Sequence, residues 1–210
     1  MRLNKSAALA LLLASTFGAG LALAQQAPPA GGPPAAGGPP AGAPARPRLA
    51  PLLIESKAFP DGGIVPAKFS NAGGNVQPDF KISNAPAETQ SYAIIMHDID
   101  VALGGPDDVL HWVAWNIPGN TTQIEEGKLP EGSVHGKGIR SNGYMGMGAP
   151  AGPRYHHYVF EFYALNTKLD LPATASRPEL LEAMKGKVIA KSAYVGRFKT
   201  EPAASAAPAK

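Results

Sequence analysis

Residues Val109–Ile117 read VLHWVAWNI, and only His111 and Asn116 interrupt the apolar run. A β-strand sends successive side chains to opposite faces, so a run that is apolar at both parities marks an interior strand rather than an edge. Working outward, Gln90–Met96 alternates, with Tyr92, Ile94 and Met96 on one face and Ala93 and Ile95 on the other. His157–Leu165 (HYVFEFYAL) places Tyr158, Phe160 and Phe162 together, opposite Val159, Tyr163 and Leu165. Leu52–Glu55 and Lys187–Lys199 supply two more strand candidates. Turn signals separate these runs: Asp61-Gly62-Gly63, Asn71–Asn75, Gly104-Gly105-Pro106 and Gly119-Asn120. One helix is marked, with Ser176 and Glu179 in capping-box spacing, Pro178 in the first turn and Gly186 as a left-handed stop. Leu180, Leu181 and Met184 form its apolar stripe. There is no internal repeat and no strand–helix alternation of the parallel kind. The sequence predicts a mainly β fold of antiparallel sheets with a short helix near the C-terminus.

The two ends have a different character. Arg2 and Lys5 precede the apolar run Ala7–Leu23, and Ala22-Leu23-Ala24 offers a small-x-small cleavage site. Residues 1–24 therefore read as a secretory signal peptide. The run is short and Ala/Gly-rich for a spanning helix, so no transmembrane segment is expected after processing, and the destination is periplasmic or secreted. Residues 25–51 hold nine of the 22 prolines and no apolar periodicity, which predicts a disordered linker. Residues 201–210 form a second Ala/Pro-rich tail. About 150 residues, 52–200, remain for one domain, a size that buries an ordinary core. With no cysteine, the chain has no disulfide, thiol nucleophile or lipid-modified N-terminal Cys. Without Arg2 and Lys5 it has 17 basic residues against 16 acidic ones, a net charge of +1. Bulk charge gives no case for nucleic acid.

Three places concentrate chemistry. Asp98 and Asp100 end an apolar strand, and period-two geometry puts them on one side. They form either a carboxylate pair at a pocket rim or a turn cap. His111 lies inside a strand, as a core histidine or as a site residue. Gly143–Tyr158 (GYMGMGAPAGPRYHHY) is a Gly/Pro loop whose bare backbone suits close approach of an anion. His156 and His157 are adjacent and point to opposite faces, so one of the two is structural. The loop lacks the context of a phosphate-binding P-loop, and no Gly-x-Ser-x-Gly elbow or His-Glu-x-x-His spacing occurs. A metal site from His97, Asp98, His111 and His156 has nothing to specify it. No metal and no cofactor are expected.

Met96–Pro118 (MHDIDVALGGPDDVLHWVAWNIP) resembles the Asp-Pro-Asp…His-Trp signature of the phosphatidylethanolamine-binding protein family, and within it the bacterial Raf kinase inhibitor-like, YbhB/YbcL branch. Gly143–Leu165 is similar to that family's second signature, a Gly-Pro-Pro loop followed by His-Arg-Tyr and an aromatic strand. Phe69–Pro78 and Gly186–Phe198 extend the resemblance over nearly all of residues 52–200. The resemblance implies antiparallel sheets with peripheral helices and one pocket for phosphate-like groups, including the phosphoethanolamine head group. Residue by residue, it implies a ligand site of Asp98, Asp100, His111, Gly148, Pro150, His156 and Tyr158, choosing His156 over His157. Ile99, Val101-Ala102, Ala149 and His157 depart from the pattern, His157 standing where the family has arginine.

The resulting expectation is an exported, non-catalytic binder of a small anionic or phospholipid head-group ligand, with the protein partner unspecified. The alternatives are an inhibitor of a periplasmic enzyme and a weak hydrolase using Asp98 and His111 as acid and base. Carboxylates repel phosphate unless a histidine is protonated or the ligand carries an ammonium group. Phosphate-type ligands are therefore expected to bind more tightly below about pH 6.5, the ordinary histidine value.

Overall fold

A computed structural model describes residues 51–140 and 142–201. The expected signal peptide, nearly all of the linker and nearly all of the tail lie outside the described residues. Nine strands and one helix follow in order: β1 (Leu53–Glu55), β2 (Gly63–Ile64), β3 (Phe80–Ser83), β4 (Ser91–Asp98), β5 (Val109–Pro118), β6 (Gln123–Ile124), β7 (Val134–His135), β8 (His156–Leu165), α1 (Arg177–Met184) and β9 (Val188–Phe198). They form a three-stranded sheet, β1-β3-β6, and a six-stranded sheet, β2-β9-β8-β4-β5-β7. Every strand pairing is antiparallel except β2 with β9.

β4 and β5 are interior strands, as their two-faced apolar sequence requires. The parity of β4 sorts its side chains into two cores. Tyr92, Ile94 and Met96 join Trp112, Phe160 and Phe162 in a cluster shared with the small sheet. Phe80 of β3 plugs into it, with ring centroids 5.1 Å from Phe160 and 5.0 Å from Phe162. Ala93 and Ile95 face the other way, with Val113, Trp115 and Leu165. On that side Leu180 and Met184 bring α1 onto the large sheet. Small sheet, large sheet and helix are thus three layers, and each fully buried large side chain contributes about 1.5–3 kcal/mol. Leu181 departs from the expected stripe: it remains 40% exposed. The expected helix start holds, since the Ser176 N–H donates to Glu179 Oε2 at 2.7 Å, and Gly186 adopts φ +70° beyond the helix end.

Two bulges break the register of β5 against β4. Tyr92 pairs with Ile117 but Ile94 with Ala114, which leaves an extra residue near Asn116. Asn116 takes φ +56°, a left-handed conformation that asparagine tolerates. Its amide clasps Leu169 at both backbone atoms, at 2.9 and 2.8 Å. The second bulge falls where Met96 pairs with Trp112 and His97 with Leu110, so His111 has no partner. Strict alternation would put His111 with Val113 and Trp115, on the helix side. The extra residue re-aims it instead to the face of Trp112 and Tyr158. Its ring meets Tyr158 edge-on at 5.1 Å.

Candidate ligand-binding pocket

β4 ends at Asp98, which lies opposite Val109 at the start of β5 and Tyr158 near the start of β8. Three strands therefore deliver their polar residues to one end of the large sheet. Asp98, His111, His156 and Tyr158, with Gly148 and Pro150 of the following loop, line an open cavity of about 310 Å³. Asn71, Val101, Leu103, Val109, Ile139, Arg140, Met145, Gly146 and Ala149 complete its wall.

Asp98 is 2% exposed. Its Oδ2 lies 2.8 Å from His156 Nδ1, and its Oδ1 accepts the Asp100 N–H at 3.0 Å. Asp98 is thus both a turn cap and a pocket carboxylate. With Asp98 as acceptor, His156 donates from Nδ1 and keeps Nε2 for another partner. His111 Nδ1 lies 3.1 Å from the carbonyls of both Met145 and Gly146. Carbonyls only accept, so Nδ1 carries the proton, and Nε2 has no protein partner among the described residues. Burial lowers the His111 pKa, and the Arg140 charge lowers it further, against the pull of the two carbonyls and Asp98. Burial thus favours the neutral ring, in which Nε2 presents an acceptor lone pair. Burial, reinforced by Asp98, pushes the Tyr158 phenol up, so it stays protonated. Its oxygen accepts the Gly148 N–H at 3.2 Å.

Two loop glycines play different parts. A Cβ on Gly146 would lie 2.3 Å from the Phe69 carbonyl oxygen, so glycine there serves the close approach of two backbones. A Cβ on Gly148 would meet nothing within 4 Å, so packing does not dictate that glycine. The loop is stapled to a distant segment: the Gly146 N–H donates to Asn75 Oδ1 at 2.7 Å and the Asn71 N–H to the Met147 carbonyl at 2.9 Å. Tyr144 adds a bond from its hydroxyl to the Phe69 carbonyl at 2.9 Å.

Six of the seven residues singled out in the sequence line this cavity. Asp100 does not. β4 stops at Asp98 and the chain turns, so the two aspartates do not share a strand face. Asp100 instead accepts the His157 N–H at 2.6 Å and meets the His157 ring at 2.8 Å and Arg154 at 3.2 Å. His157 thus holds this carboxylate from the family's arginine position. Asp98 and His111, the acid and base of the hydrolase alternative, share no hydrogen bond among the described residues; the carboxylate meets His156. His97 lies on the helix side of the sheet, paired with Asp108 and 3.6 Å from Glu161, away from any shared site with Asp98. Sequence reading missed Arg140, a cation that makes no ion pair among the described residues and stands in the cavity wall beside His111. It also missed Leu103 and Ile139. All three come from segments without periodicity, which gives no signal for placing them.

The profile of the phosphatidylethanolamine-binding protein family matches residues 55–199. A UPF0098 protein of Methanothermobacter thermautotrophicus is 37% identical over 153 residues, covering 70% of this chain and 97% of that one. A Mycobacterium tuberculosis protein bearing the name lipoprotein LppC is 35% identical over 154 residues, covering 72% of this chain and 74% of that one. Among solved structures, a phosphatidylethanolamine-binding protein homologue from Chlamydia trachomatis superposes with a TM-score of 0.67 at 27% identity, over 72% of this chain and 99% of that one. YbcL of E. coli, described as a member of the mammalian family, superposes with a TM-score of 0.66 at 25% identity, over 72% of this chain and all of that one. A profile match across the described domain, joined to these relatives, places the chain in the phosphatidylethanolamine-binding protein family.

Proposed function

We propose that this chain is an exported binding protein that holds a small phosphate-type head group, anionic or zwitterionic, in the Asp98–His156 cavity without transforming it. The observation that carries this reading is the convergence of Arg140, the free His111 Nε2 and the committed Asp98–His156 pair on one cavity of about 310 Å³. Arg140 supplies the charge for a phosphate oxygen. The neutral His111 Nε2 accepts from an ammonium group or a phosphate hydroxyl, which favours phosphoethanolamine over a fully ionised phosphate. Asp98 accepts from His156 and from the Asp100 N–H, and these donors offset part of the carboxylate charge that would repel the anion. Asp98 is held by His156 and not poised beside His111, so the two do not form an acid–base couple, which favours binding over turnover. The basic–apolar–small pattern of residues 1–24 supports export, as does kinship with a protein named as a lipoprotein.

Calorimetric titration of the full chain with inorganic phosphate and phosphoethanolamine tests the reading. Saturable one-to-one binding is expected, with phosphoethanolamine the tighter ligand and both weakened about tenfold or more by His111→Ala. Absence of binding by either compound to the wild-type chain refutes it.

A further inference from the structure

Ile139 stands in the wall of two cavities at once. On one side is the head-group pocket. On the other is an open groove of about 600 Å³, lined by Leu110, Ile139, Pro178 and Leu181, with Asp108 and Arg177 also in its wall. The same chain segments frame both: the approach to β5 supplies Leu103 to the pocket and Pro106 to the groove, and residues 137–140 run between them. Asp108 and Arg177 pair with each other, and Asp108 also meets His97, so these charges are already satisfied. Asp107 and Lys137 also stand in its wall, and between these charges the groove offers a ligand apolar surface left in water. Leu181 is 40% exposed on a helix whose neighbours Leu180 and Met184 are buried, and Ile139 is 46% exposed. Leu103, at 70%, continues the apolar rim around the pocket mouth.

We propose that the groove is the tail subsite of the same ligand. This rests on the head-group reading above and names the ligand class: a single-chain amphiphile whose phosphate lies beside Arg140 and whose alkyl chain crosses Ile139 to lie against Leu110 and Leu181. Continuity of the apolar wall through Ile139 favours this occupant over a separate polar ligand. Removal of each methylene from water tightens binding about fourfold.

The test is a ladder of methyl, butyl, hexyl and octyl phosphates, each below its micelle concentration, titrated calorimetrically into the full chain beside inorganic phosphate. Hexyl phosphate is expected to bind about tenfold or more tightly than methyl phosphate, since two or more buried methylenes suffice. Leu181→Ser should shrink that ratio about threefold or more and leave inorganic phosphate affinity within about twofold, because Leu181 lines only the groove. A flat ladder beside intact phosphate binding overturns the tail subsite and spares the head-group reading. Failure of inorganic phosphate, phosphoethanolamine and every alkyl phosphate to bind overturns both. Binding to vesicles of phosphatidylethanolamine and phosphatidylglycerol without binding of monomeric hexyl phosphate also overturns the tail subsite. Should Leu181→Ser fail to fold, the ladder in the wild-type chain still decides.

Discussion

His97 and Asp98 are neighbours in β4, yet their side chains build opposite things on opposite faces of the large sheet. On the helix side His97 sits between Asp108 and Glu161; Arg177 takes the other oxygen of Asp108, and Lys191 with Tyr163 completes Glu161. Each carboxylate there meets a cation or a histidine, and His97 Nε2, which makes no hydrogen bond among the described residues, is buried away from solvent. On the pocket side Asp98 and His156 make a similar histidine–carboxylate pair, but they face a cavity with a cation, Arg140, and an imidazole nitrogen on His111 that have no partner among the described residues. A histidine beside a carboxylate does not by itself mark a site. Unspent hydrogen-bonding capacity that opens on a cavity does.

The contrast predicts that the helix-side network governs stability and the pocket side governs binding. The largest effect is expected for Asp108→Ala, which strands His97 and Arg177 together and should cost about 3 kcal/mol in urea unfolding. Inorganic phosphate affinity should stay within about twofold. A large loss of affinity would show the two faces to be coupled.

Acid should separate them next. Hydrogen bonding from His97, with Lys191 and Tyr163, holds the Glu161 carboxyl at about 2 rather than 4.5 against the opposing effect of burial. Its folded pKa is depressed, so its contribution is complete above pH 4.5 and is lost as pH falls toward 2. His111 is also depressed, here for a base, so the folded state binds fewer protons than the unfolded one. Its contribution is complete above pH 6.5 and is lost as pH falls through the lower folded value. Thermal unfolding midpoints should therefore fall in two stages on acidification, with His111→Ala flattening the first and Glu161→Gln the second.

Within the loop, Gly146→Ala is expected to destabilise by about 2 kcal/mol, because the new Cβ collides with the Phe69 carbonyl. Gly148→Ala should change stability by less than about 0.5 kcal/mol while narrowing the cavity, so calorimetry should show weaker phosphate binding. Arg140→Ala should weaken phosphate about tenfold, near 1.4 kcal/mol, and leave the unfolding midpoint nearly unchanged.

The large sheet was legible because its strands carry long, clean parities: Gln90–Met96, Val109–Ile117 and His157–Leu165 each fall within one or two residues of the observed strand ends. The two-residue strands β2, β6 and β7 are too short to show a period, and Phe80 of β3 reveals its role only through the aromatic rings it meets. In the pocket, residues at strand ends or in the glycine loop could be found from sequence pattern and resemblance. His111 was found without its geometry, because a bulge is a relation between two strands and leaves no mark in one of them. Asp100 was misplaced for the converse reason: alternation was carried two residues past the end of the strand. Arg140 acquires its meaning only from the fold.

The staple between Asn75 and Gly146 joins residues 71 positions apart, and the Asp98–His156 pair joins residues 58 apart. The β4–β8 ladder bridges the same span, from Asp98 with Tyr158 to Ser91 with Leu165, so the pocket assembles only together with the large sheet. The pocket therefore exists only in the folded molecule. A bound phosphate should slow unfolding without hastening refolding, acting as a latch on the finished molecule.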